Sequence, residues 1–243
     1  ALVGNPNVGK STLFNRLTGS GRDVGNWPGT TVAVGRALWG LPTAADVVLL
    51  DLPGAVSLDP VSPDEQLTRD LVVEQPPEGR PDLVVVVASA VHLARGLYLL
   101  RQVLETDARS ILVLTMADVA ARRGIAVDVE ELRRACGVDV VVVDPRHGEG
   151  AEDLGGLVAA VLPTPRPQAK DDASPSSSAA HQDAPLDELV AAEQRFAWVA
   201  AAVDRATHRA ADRGSTWSDR LDRLTTAPVL GPALFLAVMW LVF

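Results

Sequence analysis

A chain of 243 residues, 47% of them hydrophobic, can bury the core of one sizeable domain plus a smaller one. Its 31 acidic residues outweigh 22 Lys and Arg, giving a formal charge of −9. Such a surface repels phosphate backbones and argues against a general nucleic-acid binder. The single cysteine, Cys136, excludes an intramolecular disulfide, and four scattered histidines have no metal-ligand spacing.

Taken in chain order, Ala1–Val3 predicts a strand that runs at once into a glycine-rich loop. This strand reads as clipped, and the chain as a fragment at both ends. A helix is predicted over Lys10–Thr18, strands over Thr31–Trp39 and Asp46–Leu52, and a helix over Pro63–Glu74 with N-cap chemistry in Ser62–Glu65. Asp82–Ala88 predicts a strand, Ala94–Glu105 a helix and Ser110–Thr115 a strand. Val129–Ala135 follows as a helix capped by Asp128, then Val138–Val143 as a strand and Ala151–Leu162 as a helix. Runs such as "DLVVVVA" are apolar on both faces, as in strands covered by helices on either side. The order gives an α/β domain with a mostly parallel sheet over residues 1–162.

Residues 163–185, "PTPRPQAKDDASPSSSAAHQDAP", are rich in Pro, Ser, Ala and charge and read as a flexible linker. A small all-α domain is expected over 186–227. Its long helix covers Leu186–Arg213, and a break at Gly214–Ser215 precedes an amphipathic stretch with Trp217, Leu221 and Leu224 on one face. From Val229 to Phe243, within the expected segment 228–243, the chain carries no charge, "VLGPALFLAVMWLVF". About fifteen residues span roughly 22 Å of helix, short of a ~30 Å hydrocarbon core. The run ends with the chain, however, so its length is a lower bound.

"GNPNVGKST" (Gly4, Asn5, Pro6, Asn7, Val8, Gly9, Lys10, Ser11, Thr12) fits G-x-x-x-x-G-K-[ST] between a strand and a helix. Backbone N–H groups of such a loop cradle phosphates, its lysine reaches the β- and γ-phosphates, and its serine places a hydroxyl on Mg2+. "DLPG" (Asp51, Leu52, Pro53, Gly54) ends an apolar strand. There a carboxylate can hold Mg2+ through water, and a glycine N–H can meet the γ-phosphate. Between them lies "VGNWPGTT" (Val24–Thr31), with Gly29, Thr30 and Thr31. Thr31 is the chosen switch threonine completing the Mg2+ shell, and Thr30 is its rival.

Base recognition is expected at "LTMAD", where Asp118 can accept the N1 and N2 protons of guanine. Thr115 stands where guanine-nucleotide proteins usually carry Asn, with Met116 beside it. A Thr hydroxyl can make one of the two bonds of an amide, so weaker affinity is expected. "DPRHGEG" (Asp144–Gly150, including Pro145 and Arg146) occupies the place of the usual Ser-Ala-x-x-Gly loop, and Pro145 has no N–H for guanine O6. Ala55 and Val56 follow Gly54 where a water-orienting glutamine is common, so slow hydrolysis is expected. Asn7 is open to two readings: ligand of a monovalent cation beside the phosphates, or a residue that shapes the turn.

Together these motifs resemble the ferrous iron transport protein B (FeoB) family of bacterial membrane GTPases. "GNPNVGKSTLFNRLTG", "VGNWPGTTV", "DLPGAVSL", "SPDEQLTRDLVVE" and "LARGLYLL" look like family blocks in family order. The resemblance implies a P-loop G domain that binds GTP/GDP and Mg2+ and hydrolyses GTP. It also implies K+ held by Asn7 and the backbone around Gly25 and Trp27. Residues 1–227 would then lie on the cytoplasmic side of the inner membrane, with 228–243 opening the first transmembrane helix. Implied partners are a membrane domain carrying Fe2+, small accessory iron-transport proteins and an oligomer. The sequence departs from the family pattern at Thr115, at Asp144–Pro145 and at Ala88–Gly96. A degenerate nucleotide-binding regulator and a soluble K+-dependent GTPase of RNA modification or ribosome assembly are the alternatives.

Overall fold

The computed structural model describes residues 1–19, 23–26, 33–42, 46–60, 62–73, 81–106, 108–162, 184–209 and 239. Gly29, Thr30, Thr31 and Trp27 lie outside the described residues, as do most of the expected linker and, apart from Met239, the terminal apolar run.

Seven strands form one sheet in the order β2 (Asp23–Asn26), β3 (Ala33–Gly40), β4 (Asp46–Asp51), β1 (Leu2–Gly4), β5 (Val84–Ser89), β6 (Ser110–Thr115) and β8 (Val140–Val142). Pairings from β4 through β8 are parallel, whereas β2–β3 and β3–β4 are antiparallel. The mostly parallel α/β sheet is therefore as expected. β2 was not expected; its "DVGN" has no alternation and gains strand geometry by pairing Asp23 to Arg36 and Asn26 to Ala33.

Both faces of the central strands are buried, and alternation decides which core each residue joins. Val84, Val86 and Ala88 face one cluster with Leu97 and Leu100 of α3 (Leu93–Leu104), Leu67 and Leu71 of α2 (Pro63–Val72) and Leu132 of α5 (Val129–Cys136). Val85 and Val87 face the other, with Leu13 and Phe14 of α1 (Lys10–Thr18) and Leu154 and Val158 of α6 (Ala151–Val161). α2 starts as expected, its Ser62 side chain accepting from Glu65 N at 3.3 Å. α3 packs tightly on β5: a Cβ on Gly96 would stand 2.2 Å from Ala88 Cβ.

Two short elements fall between Thr115 and Val129 where none was expected: α4 (Ala117–Arg122) and β7 (Ile125–Val127). The last described helix, α7 (Ala184–Ala206), begins inside the expected linker and packs on α3 and α5. It ends earlier than the expected Arg213. Thr207 Oγ1 donates to Val203 O, and Thr207–Arg209 (β9) leaves the helix to pair with β7. Residues Ala1–His208 form one compact unit. Among the described residues no helix is long and apolar enough to cross a membrane.

Candidate functional site: a phosphate-binding cleft

At the carboxyl ends of β1, β6 and β8 lies a cleft of about 620 Å³, where a parallel α/β sheet binds its ligands. Its floor is the loop from Asn5 to Gly9, followed by Lys10, Ser11 and Thr12 of α1. Asn7 (φ 64°) and Gly9 (φ 87°) both adopt left-handed backbone, which folds the loop back over the start of α1. Among the described residues no side chain caps α1, and its first turn has no acidic residue, so its first N–H groups and its dipole are available to an anion. Gly4 lies below the loop, buried in β1, where a Cβ would stand 2.5 Å from Val87 O.

Beneath the loop, the Lys10 ammonium is buried and donates to Asp51 Oδ1 and to the Leu52 carbonyl. Ser11 Oγ donates to the other oxygen of Asp51 at 2.9 Å. The lysine, the hydroxyl and the carboxylate expected at phosphate and Mg2+ thus stand together. Oxygen donors of this kind suit a hard divalent cation. Pro53 continues the chain from Leu52, and Gly54 lines the cleft against Pro6, where a Cβ would be 3.2 Å from the proline ring. Asn5 Nδ2 reaches Ala55 O at 3.4 Å, and Ala55 N donates to Gly4 O at 3.1 Å. No glutamine stands here: Ala55 is buried and Val56 exposed, its N–H donating to Glu65 Oε1 at 3.2 Å. Gly25 sits in β2 opposite Val34 and is not among the lining residues.

The far wall is built by Thr115, Met116, Asp118, Asp144, Pro145 and Arg146. Val119, which the sequence reading missed, joins it because α4 turns Asp118 and its neighbour to the cleft. The Thr115 hydroxyl, expected at a base, is directed at backbone carbonyls in this structure. The side chain is 1% exposed, and its hydroxyl meets Val8 O at 2.6 Å and Ala88 O at 3.2 Å. With one hydrogen to give, it fastens β6 to the phosphate loop. Asp118 is half-exposed and paired with Arg122 at 2.8 Å.

Asp144 shapes the last loop. Its Oδ1 accepts from Arg146 N at 2.8 Å, and its Oδ2 meets His147 Nδ1 at 2.7 Å. The imidazole, then the Arg146 N–H, hold its carboxyl below the usual range, and Asp144 in turn raises His147. Arg16 of α1 donates to His147 O at 2.5 Å, and Gly148 (φ +84°) leaves the space that the Arg16 guanidinium fills.

Beyond the cleft, the segment after Gly54 is tied to two helices. Gln102 of α3 accepts from Leu58 N at 2.9 Å and donates to Ser57 Oγ at 3.1 Å and Asp59 Oδ2 at 2.7 Å. Arg195 of α7 donates to the same Asp59 oxygen at 3.2 Å and to Glu105 Oε2 at 3.0 Å. Tyr98 and Phe196 stack at 4.9 Å alongside.

The chain resembles several solved structures. It matches the cytosolic domain of the T. maritima FeoB iron transporter in its GMPPNP form at TM-score 0.76 and 27% identity, covering 85% of this chain and 98% of that one. The G domain of the same transporter matches at TM-score 0.60 and 38% identity, over 66% of this chain and 95% of that one. The Fe(2+) transporter FeoB of Leptospira biflexa is 34% identical over 158 residues, 65% of this chain and 22% of the relative. That of Salmonella typhimurium is 39% identical over 153 residues, 63% of this chain and 20% of the relative. The chain thus spans about a fifth of the length of these curated relatives. The sequence model described as ferrous iron transport protein B matches residues 1–158, and the chain belongs to that family.

Proposed function

We propose that the chain is the GTP-binding and GTP-hydrolysing module of a bacterial ferrous iron transporter. The observation that carries this reading is the convergence of Lys10, Ser11 and Asp51 beneath the uncapped start of α1. The T. maritima relative, solved in GMPPNP and GDP forms, supports a nucleotide in the cleft.

In this reading the loop N–H groups and Lys10 bind the phosphates, Lys10 leaving Asp51 and the Leu52 carbonyl to do so. Ser11, Thr31 and Asp51, the last through water, hold Mg2+, which when bound neutralises developing phosphate charge. The Gly54 N–H meets the γ-phosphate and, with Thr31, distinguishes the GTP state. Asn7, with backbone at Gly25 and Trp27, holds K+. Without a water-orienting side chain at Ala55 or Val56, intrinsic hydrolysis is slow and K+ raises it. The Gln102–Asp59–Arg195 network supports a route from the switch to α7.

The wider assignment comprises a G domain over 1–162, a linker over 163–185, a helical domain over 186–227 on the cytoplasmic side, and 228–243 as the start of a transmembrane helix. The full protein would carry Fe2+ through a membrane domain, with small accessory proteins and an oligomer as partners. Phosphate release from GTP in KCl and in NaCl tests the enzymatic claim. Mg2+-dependent turnover that is faster in K+ supports it. Binding without turnover in either salt would instead favour the degenerate regulator.

A further inference from the structure

Among the described residues, the loop Pro145–Gly148 on the wall facing a bound base offers few backbone donors. Pro145 has no N–H. The Arg146 N–H donates to Asp144 Oδ1 at 2.8 Å, and Gly148 N donates to Asp144 O at 2.7 Å. On the other side of the cleft, the Thr115 hydroxyl is spent on Val8 O. The two acceptors of guanine that a backbone amide and an asparagine would ordinarily meet, O6 and N7, therefore find neither here.

Two charged side chains line the same wall. Asp118, in the first turn of α4, has one oxygen paired with Arg122 and a second left to accept. Arg146 lines the cleft from the opposite loop, exposed, and its guanidinium has no partner among the described residues. The loop carrying it is held by Arg16 at His147 O and by the Asp144–His147 bond, so Arg146 projects from a fixed base.

Guanine presents two donors, N1–H and N2–H2, on one edge and two acceptors, O6 and N7, on the next. A carboxylate accepts only, and the guanidinium fork donates only, with the spacing that fits O6 and N7 together. Resting on the proposal that the cleft binds a guanine nucleotide, with Asp118 at the N1–H/N2–H2 edge, we infer that Arg146 takes the O6/N7 edge, so that side chains read both edges of the base. Adenine is rejected at both, because it presents an amino group to Arg146 and an unprotonated N1 to Asp118.

The test is calorimetric binding of GDP, 7-deaza-GDP (no N7 acceptor) and inosine diphosphate (no N2 amino group) to the whole chain with Mg2+. It compares the wild type with Arg146→Ala and Arg146→Lys. The wild type is expected to bind 7-deaza-GDP roughly three- to tenfold more weakly than GDP, the scale of one lost bond of a bidentate base contact. Arg146→Ala, which loses both bonds, should bind the two nucleotides equally and at or below that level, with Arg146→Lys between. Inosine diphosphate should suffer the same penalty in all three proteins, because Asp118 is intact, and this also reports a folded site. An Arg146→Ala protein that still prefers GDP over 7-deaza-GDP would overturn the inference alone. A wild type that binds none of the three would overturn the nucleotide reading and this inference with it.

Discussion

Arg195 Nη1, on α7, donates to Oδ2 of Asp59 at 3.2 Å, and the same carboxylate oxygen accepts from Gln102 Nε2 at 2.7 Å. One oxygen in the segment after Gly54 is thus shared by a glutamine of α3 and an arginine of the last described helix. A displacement at Gly54 that moves Asp59 must stretch or break one of these bonds. Partly exposed ion pairs of this kind contribute about 1 kcal/mol or less each, so the link is weak enough to switch. Hydrogen exchange of α7 is expected to differ between GDP and a non-hydrolysable GTP analogue. Arg195→Ala should erase that difference while nucleotide affinity changes by less than about threefold, the mark of a coupling rather than a binding residue.

Gly96 sets the distance between α3 and β5. A methyl group there meets Ala88 Cβ at 2.2 Å, and overpacking of this kind costs about 1–3 kcal/mol. The gain in helix propensity for Gly to Ala is about 1 kcal/mol and offsets only part of that. Gly96→Ala should lower the thermal midpoint by about 2–6 °C. Adding Ala88→Gly, which vacates the contacted atom, should recover most of the loss.

Thr115→Val keeps the shape and removes the hydroxyl that meets Val8 O. A buried carbonyl left without a donor costs about 1–3 kcal/mol, and Thr115→Ser should lose less than half as much. Equilibrium denaturation measures the cost. The ratio of GDP to 7-deaza-GDP affinity should not change in Thr115→Val, since this hydroxyl does not reach the base.

His147 and Asp144 give the base-side loop a pH window. Protonated His147 is favoured by Asp144, so its contribution is fully present below the ordinary imidazole value and fades as pH rises through the raised one. Asp144 is held low, so its contribution is present above the ordinary carboxylate value and is lost as pH falls through the depressed one. The loop is best ordered between those limits. An NMR titration should place the His147 midpoint above that of a free imidazole, and Asp144→Asn should move it downward.

How far the sequence carried this depended on whether the signal was local. Lys10–Thr18 and Ser110–Thr115 were readable to the residue, because the motif fixes the helix start and two-faced apolar runs mark buried strands. β2 was not, since "DVGN" carries no periodicity and is a strand only through β3. β7 and β9 are three-residue strands that exist only because they pair with each other. Lys10, Ser11, Asp51 and Asp118 were nameable from spacing. The direction of the Thr115 hydroxyl, the capture of the Arg146 N–H by Asp144 and the Arg195–Asp59 bond were not. Each depends on which atoms the folded chain brings within reach over separations that no motif spans.

The central claim is that this cleft binds a guanine nucleotide through its phosphate loop. Calorimetric titration of the chain with GDP and Mg2+, beside its Lys10→Ala variant, tests it most directly. The account predicts saturable, Mg2+-dependent binding to the wild type, weakened beyond detection in Lys10→Ala, with ATP and ADP failing to compete. Equal binding by the two proteins, or displacement of GDP by ADP, would contradict it.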